Sequence, residues 1–274
     1  MNNYRTGPFS SIPMVIKNLL ILNIVMFAIT WLAEQKFGYN LGMLLGLHYP
    51  SSEYFKPFQL VTHMFMHGSF WHLFFNMFTL WMFGMAVETV WGPKRFFIYY
   101  MIVGLGAAAF YLGVNAIQFH MIDVAAKDML ATASPDKFMA IIKTHFPQAY
   151  DAYLNDNFIK DWYKNPGNID FAKEAYKQIQ MGLTQLMDIP MVGASGAIYG
   201  VLLAFGMMFP NQNIYIYFLF PLKAKYMVII FGLLEVYSGF SQPGSQIAHF
   251  AHVGGMIFGF ILIKYWRKRP SNLY

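Results

Sequence analysis

Residues 96–119 run for 24 positions without one Asp, Glu, Lys, Arg or His. A helix of that length rises about 36 Å, more than the roughly 30 Å hydrocarbon layer of a bilayer. In lipid no water satisfies the backbone, so such a run must close its hydrogen bonds within a helix or a barrel. Five further apolar runs accompany it, at about 15–33, 71–90, 193–208, 226–240 and 247–266. The run at 193–208 is short for a span that needs about 20 residues. The remaining composition agrees: 57% of the chain is hydrophobic and only 12% charged, half the charge that a soluble domain carries. Disorder is excluded, since it needs low hydrophobicity and high charge. The fold class expected is an all-α polytopic membrane protein with six transmembrane helices.

The net charge of +6 does not describe a nucleic-acid surface. Arg5, Lys17, Lys94, Arg95, Lys223, Lys225, Lys264, Arg267, Lys268 and Arg269 sit at the ends of the apolar runs. By the positive-inside rule the N-terminus, the 2–3 and 4–5 turns and the tail face the cytoplasm. The segments 34–70, 120–188 and 241–246 then lie outside. A bacterial inner membrane is the expected setting, with both termini cytoplasmic. The first apolar run is long enough to remain in the membrane, so no cleavable leader is expected. The chain has no Cys, which removes thiol chemistry, disulfides and Cys-based zinc sites.

Polarity changes at 120. Residues 120–188 hold seven Lys and nine acidic residues and cannot span. Ser134-Pro135 has the form of an N-cap and first-turn proline, and Asn165-Pro166-Gly167 that of a turn. Phe171, Tyr176, Ile179, Leu183 and Leu186 recur at helical spacing. The expected organisation is a membrane core at 1–119 and 189–274, interrupted by an extracytoplasmic helical insertion at 120–188.

Gly193-Ala194-Ser195-Gly196-Ala197-Ile198-Tyr199-Gly200 opens the fourth run. Small residues at this spacing let helices approach closely. The same arrangement also suits a nucleophile at a helix N-terminus, where free N–H groups can hold a developing oxyanion. Such a serine needs a base within hydrogen-bond reach. His252 is the candidate, on a face made flat by Ala248, Ala251, Gly255 and Gly259. An intramembrane histidine is either an interhelical hydrogen-bonding group or a functional one. His249 has no comparable argument. Tyr199, at i+4 from Ser195, shares its face and is either a packing residue or a ring stacked on His252. His72 and Asn76 form a second i,i+4 pair at the outer end of the second run. Asn76 either bonds another helix or donates to an oxyanion. His63 and His67 have zinc-ligand spacing, but the glutamate of an H-E-x-x-H motif is missing, so no metal is expected. Asp188 lies in a loop before the span, and Glu88 and Glu235 are assigned to other levels. The reading is therefore a Ser195–His252 dyad without a carboxylate.

The strings His63-x-x-x-His67-x-x-x-x-His72-x-x-x-Asn76, Gly193-x-Ser195-Gly196-x-x-Tyr199 and Ala251-His252-x-x-Gly255-x-x-x-Gly259 together resemble the rhomboid intramembrane serine proteases. The resemblance covers about residues 10–118 and 190–268. It implies a six-helix bundle whose water-filled site opens outward, and peptide hydrolysis in transmembrane substrates within the bilayer without a cofactor. It makes Ser195 the nucleophile and His252 the base. It makes His72 and Asn76, with the Ser195 N–H, the oxyanion donors, has Tyr199 support His252, and counts Gly193 as a further supporting residue. The Trp-Arg pair that many members carry in the first outer loop is absent from 34–70. Two rivals stand beside this reading. One is a non-catalytic scaffold of the same fold that binds client spans, which need not keep the Ser/His pair. The other is a histidine-rich metal enzyme or transporter. The 241–246 loop, with Tyr237 and Phe240 beside it, is expected to gate the site.

Overall fold

The computed structural model describes residues 12–216, 220–241 and 248–268. Arg5, Arg269 and most of the 241–246 loop lie outside them. Among the described residues four helices are long and apolar enough to cross a membrane: α1 (Met14–Phe37), α2 (Phe70–Trp91), α3 (Pro93–Thr132) and, later in the chain, Ala224–Ser241. The helical module follows, with α4 (Pro135–His145), α5 (Pro147–Asn155), α6 (Asn157–Lys164) and α7 (Ile169–Met187). Then come α8 (Ser195–Met208), an antiparallel pair of strands β1 (Asn213–Ile216) and β2 (Phe220–Lys223), α9 (Ala224–Ser241) and α10 (His249–Lys268). The strands pair Asn213 with Lys223 and Ile216 with Phe220.

The short helix α8 is the centre of the bundle, touching α2, α3, α9 and α10. Between Gly196 and Gly206 all its residues but the half-buried Tyr199 and Leu203 are buried, which is how an all-round apolar helix of about 21 Å comes to be used. Its glycines set the spacing. A Cβ on Gly255 of α10 would strike the backbone oxygen of Gly196, and one on Gly259 would meet the Tyr99 hydroxyl and lie 3.3 Å from Gly200 Cα. Tyr99 also donates to Gly200 O at 2.7 Å, tying α3 to the same seam.

Helix α3 departs from the expected span. It runs through 40 residues, about 60 Å, twice the hydrocarbon thickness. Between Gly113 and Ser134 the sequence offers no glycine or proline, so the change in polarity at 120 alters the helix's surroundings without ending it. It stops at Ala133, in the left-handed region at φ 45°, and Ser134 then caps α4 by accepting from Lys137 N. Ile122, Ala126 and Met129 of α3 join Phe138, Trp162 and Ile179 in a core separate from that of the bundle.

The segment between α1 and α2 is seated without the Trp-Arg pair. Buried Gln59 is its hub. The amide donates to Leu44 O and Tyr54 O, and Oε1 accepts from His48 N and Lys56 N. The segment is then laced to the strand-like stretch before α8. Leu47 and Met191 exchange two backbone hydrogen bonds at 2.8 Å, and Ser52 donates to Asp188 at 2.6 Å. Asp188 is thus a structural partner of this loop.

Candidate active site

Gly193 sits at φ 129°, a conformation that side-chain-bearing residues rarely adopt. Its N–H donates to His63 O at 2.9 Å, which turns the chain into α8 with Ser195 as the first helical residue. A Cβ on Gly193 would lie 2.8 Å from His72 Nε2 and 3.5 Å from Ser195 Oγ, so the imidazole and the hydroxyl flank one point. His72 is placed by Ser69, which caps α2 by accepting from His72 N at 3.1 Å. One turn further, Asn76 is buried and its Nδ2 has no partner among the described residues. A donor left free inside a protein costs free energy unless something accepts from it. A small cavity beside Ser195 is lined by His63, Met64, Val192, Gly193, Ala248 and Ala251.

Ser195 Oγ and His252 Nε2 are 2.7 Å apart, with the imidazole buried between α8 and α10. The Tyr199 ring lies parallel to it, centroids 4.3 Å apart and planes within 7°.

Contrary to the expectation from sequence, Glu235 lies at the level of His252 and not at another level of the bundle. The last two turns of α9 lie against the first turn of α10, so the Glu235 carboxylate reaches the far side of the imidazole. Its Oε1 accepts from the Tyr199 hydroxyl. Its Oε2 accepts from His249 Nδ1 at 2.7 Å and lies 2.9 Å from His252 Nδ1, off the hydrogen-bond axis of that nitrogen. His249 likewise has the specific partner that the sequence did not supply. The available signal was Glu235 itself, an ionisable residue in an apolar span. Its depth follows from how α9 packs against α10, which the local sequence does not encode.

His63 and His67, the pair with zinc spacing, face different partners. His63 Nδ1 bonds Gln59 O at 2.8 Å, while the His67 ring stands edge-on to His72 at 5.0 Å. Among the described residues the donor atoms close enough together to hold a metal ion are instead those of Glu235, His249 and His252.

The chain matches the Rhomboid domain over residues 54–121 and 171–269, more than half its length. The break in the match falls on the helical module. It is 23% identical over 247 residues to Rhomboid protein 1, mitochondrial, of Saccharomyces cerevisiae, covering 88% of this chain and 50% of that protein. It is 24% identical over 241 residues to RHOMBOID-like protein 12, mitochondrial, of Arabidopsis thaliana, covering 88% of this chain and 55% of that one. The chain therefore spans about half the length of these curated relatives.

Proposed function

The chain belongs to the rhomboid family of multi-pass membrane proteins, and from that premise we propose that it is an intramembrane serine endopeptidase. The observation that carries the reading is the 2.7 Å contact between Ser195 Oγ and His252 Nε2, made between two helices whose glycines let their backbones meet. In the reaction the Ser195 oxygen bonds to the scissile carbonyl carbon as its proton passes to His252 Nε2. The negative charge formed on the carbonyl oxygen is held by His72, Asn76 and the Ser195 N–H. Collapse of the adduct breaks the C–N bond, and Nε2 returns the proton to the leaving amine. Water then hydrolyses the Ser195 ester by the same route. Gly193 supports this arrangement by turning the chain into α8, and Tyr199 by stacking on the base.

The substrates are proteins anchored by a transmembrane segment, reached within the lipid bilayer. The proposed topology has six spans, adding α8 and α10 to the four long apolar helices, with residues 120–188 as an insertion on the outer side between membrane halves 1–119 and 189–274. A bacterial inner membrane is the proposed setting, and the basic connections argue for cytoplasmic termini there.

The test is cleavage of a single-span substrate by the purified protein, together with labelling by a serine-directed fluorophosphonate. Ser195→Ala and His252→Ala are each expected to abolish cleavage with folding retained, and Ser195→Ala to abolish labelling. Cleavage that survives in either folded variant overturns the dyad. Client binding with no labelling of the wild type favours the scaffold reading instead.

A second reading draws on Glu235, His249 and His252, whose donor atoms lie within 4.8 Å of one another. Two imidazoles and a carboxylate are a donor set that zinc takes. Activity lost to a chelator and restored by stoichiometric zinc would favour it over serine catalysis.

A further inference from the structure

We propose that Glu235 is a positioning residue for His252, holding the imidazole both directly and through the tyrosine stacked on it, with His249 fixing the carboxylate. The proposal rests on the protease reading and replaces its two-residue site by a carboxylate-backed one.

For His252 Nε2 to take the Ser195 proton it must carry a lone pair, which puts the ring's own hydrogen on Nδ1. Facing Nδ1 at 2.9 Å is Glu235 Oε2. A carboxylate can only accept, so it favours Nδ1–H and leaves Nε2 free. The opposite tautomer would set a bare nitrogen against the carboxylate and turn an N–H toward Ser195.

The second contact works on orientation. Glu235 Oε1 accepts from the Tyr199 hydroxyl, and the Tyr199 ring covers one face of the imidazole, parallel to within 7°. One side chain on α9 thus sets both the edge and the face of a ring on α10, using a tyrosine on α8. Those three helices carry every residue of the constellation except the oxyanion pair on α2.

The third contact explains how a carboxylate stays in place in this setting. An ionised group buried alone is costly, and hydrogen bonds that satisfy its oxygens offset that cost. The directed bond to Oε2 comes from His249 Nδ1 at 2.7 Å, whereas His252 Nδ1 approaches the same oxygen off its axis. His249 is therefore the anchor of Glu235, and His252 keeps the freedom to follow the serine proton. The groups that face His252 are Ser195 and Tyr199 of α8, Glu235 of α9, His249 of its own helix and His72 of α2, whose charge would oppose that of His252. Glu235 is the one anion in that set. It is placed to stabilise the imidazolium that forms when Ser195 gives up its proton.

The experiment has two arms. Single-turnover and steady-state kinetics on a transmembrane substrate are measured for wild type, Glu235→Gln, Glu235→Asp and His249→Asn. Glu235→Gln is expected to lower kcat at least about ten-fold with KM within about two-fold, the pattern of a lost transition-state interaction. Glu235→Asp should recover part of that loss, and His249→Asn should cost less than Glu235→Gln. Glu235→Gln within about two-fold of wild type in kcat overturns the proposal. The second arm reads the ring itself by ¹⁵N NMR of histidine-labelled protein, which requires no turnover. The wild type should show His252 protonated at Nδ1, and Glu235→Gln should show a mixture of tautomers. An unchanged tautomer in folded Glu235→Gln also overturns the proposal. If Glu235→Gln does not fold, Tyr199→Phe replaces it in both arms. That variant keeps the stacked ring but frees Oε1, and it must lower kcat and broaden the His252 signals for the proposal to stand. Wild type that never cleaves but holds the Nδ1–H tautomer through Glu235 would refute the protease reading while leaving the positioning role intact.

Discussion

A histidine sealed among apolar groups resists protonation, because the charged ring loses its water. His63 and His67 are such residues in the segment between α1 and α2, outside both helices. Burial holds His63 down to about 4 from an ordinary 6.5, and burial with the neighbouring charge of His72 holds His67 down to about 3. Below the unfolded value the unfolded chain binds protons that the fold refuses, so stability falls as pH falls. The contribution is complete above pH 6.5 and is lost progressively toward pH 4. The melting temperature in detergent should therefore drop across that window. His63→Asn, which keeps a donor for Gln59 O, should make the drop shallower. An equal slope in variant and wild type would refute the assignment. Legibility at this scale divides sharply. Ser195, His252, Tyr199, His72 and Asn76 could be picked from the sequence because each sits in a string whose small residues or i,i+4 spacing carry meaning by themselves. Glu235 could not, because its partners lie on two other helices and its local sequence, Leu233-Leu234-Glu235-Val236, says only that a charge is in lipid.

Helices α8 and α10 meet through backbone contact, so a side chain added at a seam glycine has nowhere to go. Gly255→Val places its Cβ against the Gly196 carbonyl, a backbone atom that cannot rotate aside. Overpacking of this kind costs about 1–3 kcal/mol and should lower the melting temperature and slow cleavage together. Gly113→Ala in α3, where a Cβ meets nothing within 4 Å, is the control expected to leave both unchanged. Equal melting temperatures for the two variants would count against the close seam. A second element-level device is the start of α1. Its N-cap is Pro13, with no side-chain cap, and buried Glu88 of α2 supplies the acceptors instead, to Val15 N at 2.9 Å and Ile16 N at 2.8 Å. Glu88→Ala leaves those donors unpaired and should cost about 1–3 kcal/mol, read as detergent-denaturation stability; no loss would mean that water replaces the carboxylate. Helix α9 is the least covered by protein of the four long apolar helices, with 17% of its most apolar window buried, and exposed Phe240 at its end touches Phe250 of α10 edge-on at 5.4 Å. Phe240→Ala should therefore speed cleavage of a transmembrane substrate more than that of a short soluble peptide. Equal or slower rates on both substrates would assign Phe240 to anchoring alone.

At the scale of the whole molecule the two largest cores among the described residues lie one in the bundle and one in the module, joined by a helix that belongs to both. Trp162 is fully buried in the second core. Trp162→Ala removes a large buried side chain, a change that typically costs about 3–5 kcal/mol. Hydrogen exchange should speed across 120–188 while the bundle stays protected, and uniform exchange throughout the chain would contradict the separation of the cores. The sequence announced the module's turns, caps and final helix through local signals. It did not announce that α3 enters the module unbroken, because helix continuation is marked only by the lack of a breaker, and a polarity step looks like a boundary. That continuity has a geometric consequence. On the proposed topology α3 rises about 20 Å above the end of its apolar run, and α7 returns to the membrane close to Ser195. On that topology the module would limit how close a substrate's folded outer domain can come to Ser195. A substrate whose folded outer domain sits directly on its membrane anchor would strike it, and one with a stalk would pass beneath. In a series of stalk lengths, cleavage should set in once the stalk exceeds about six extended residues.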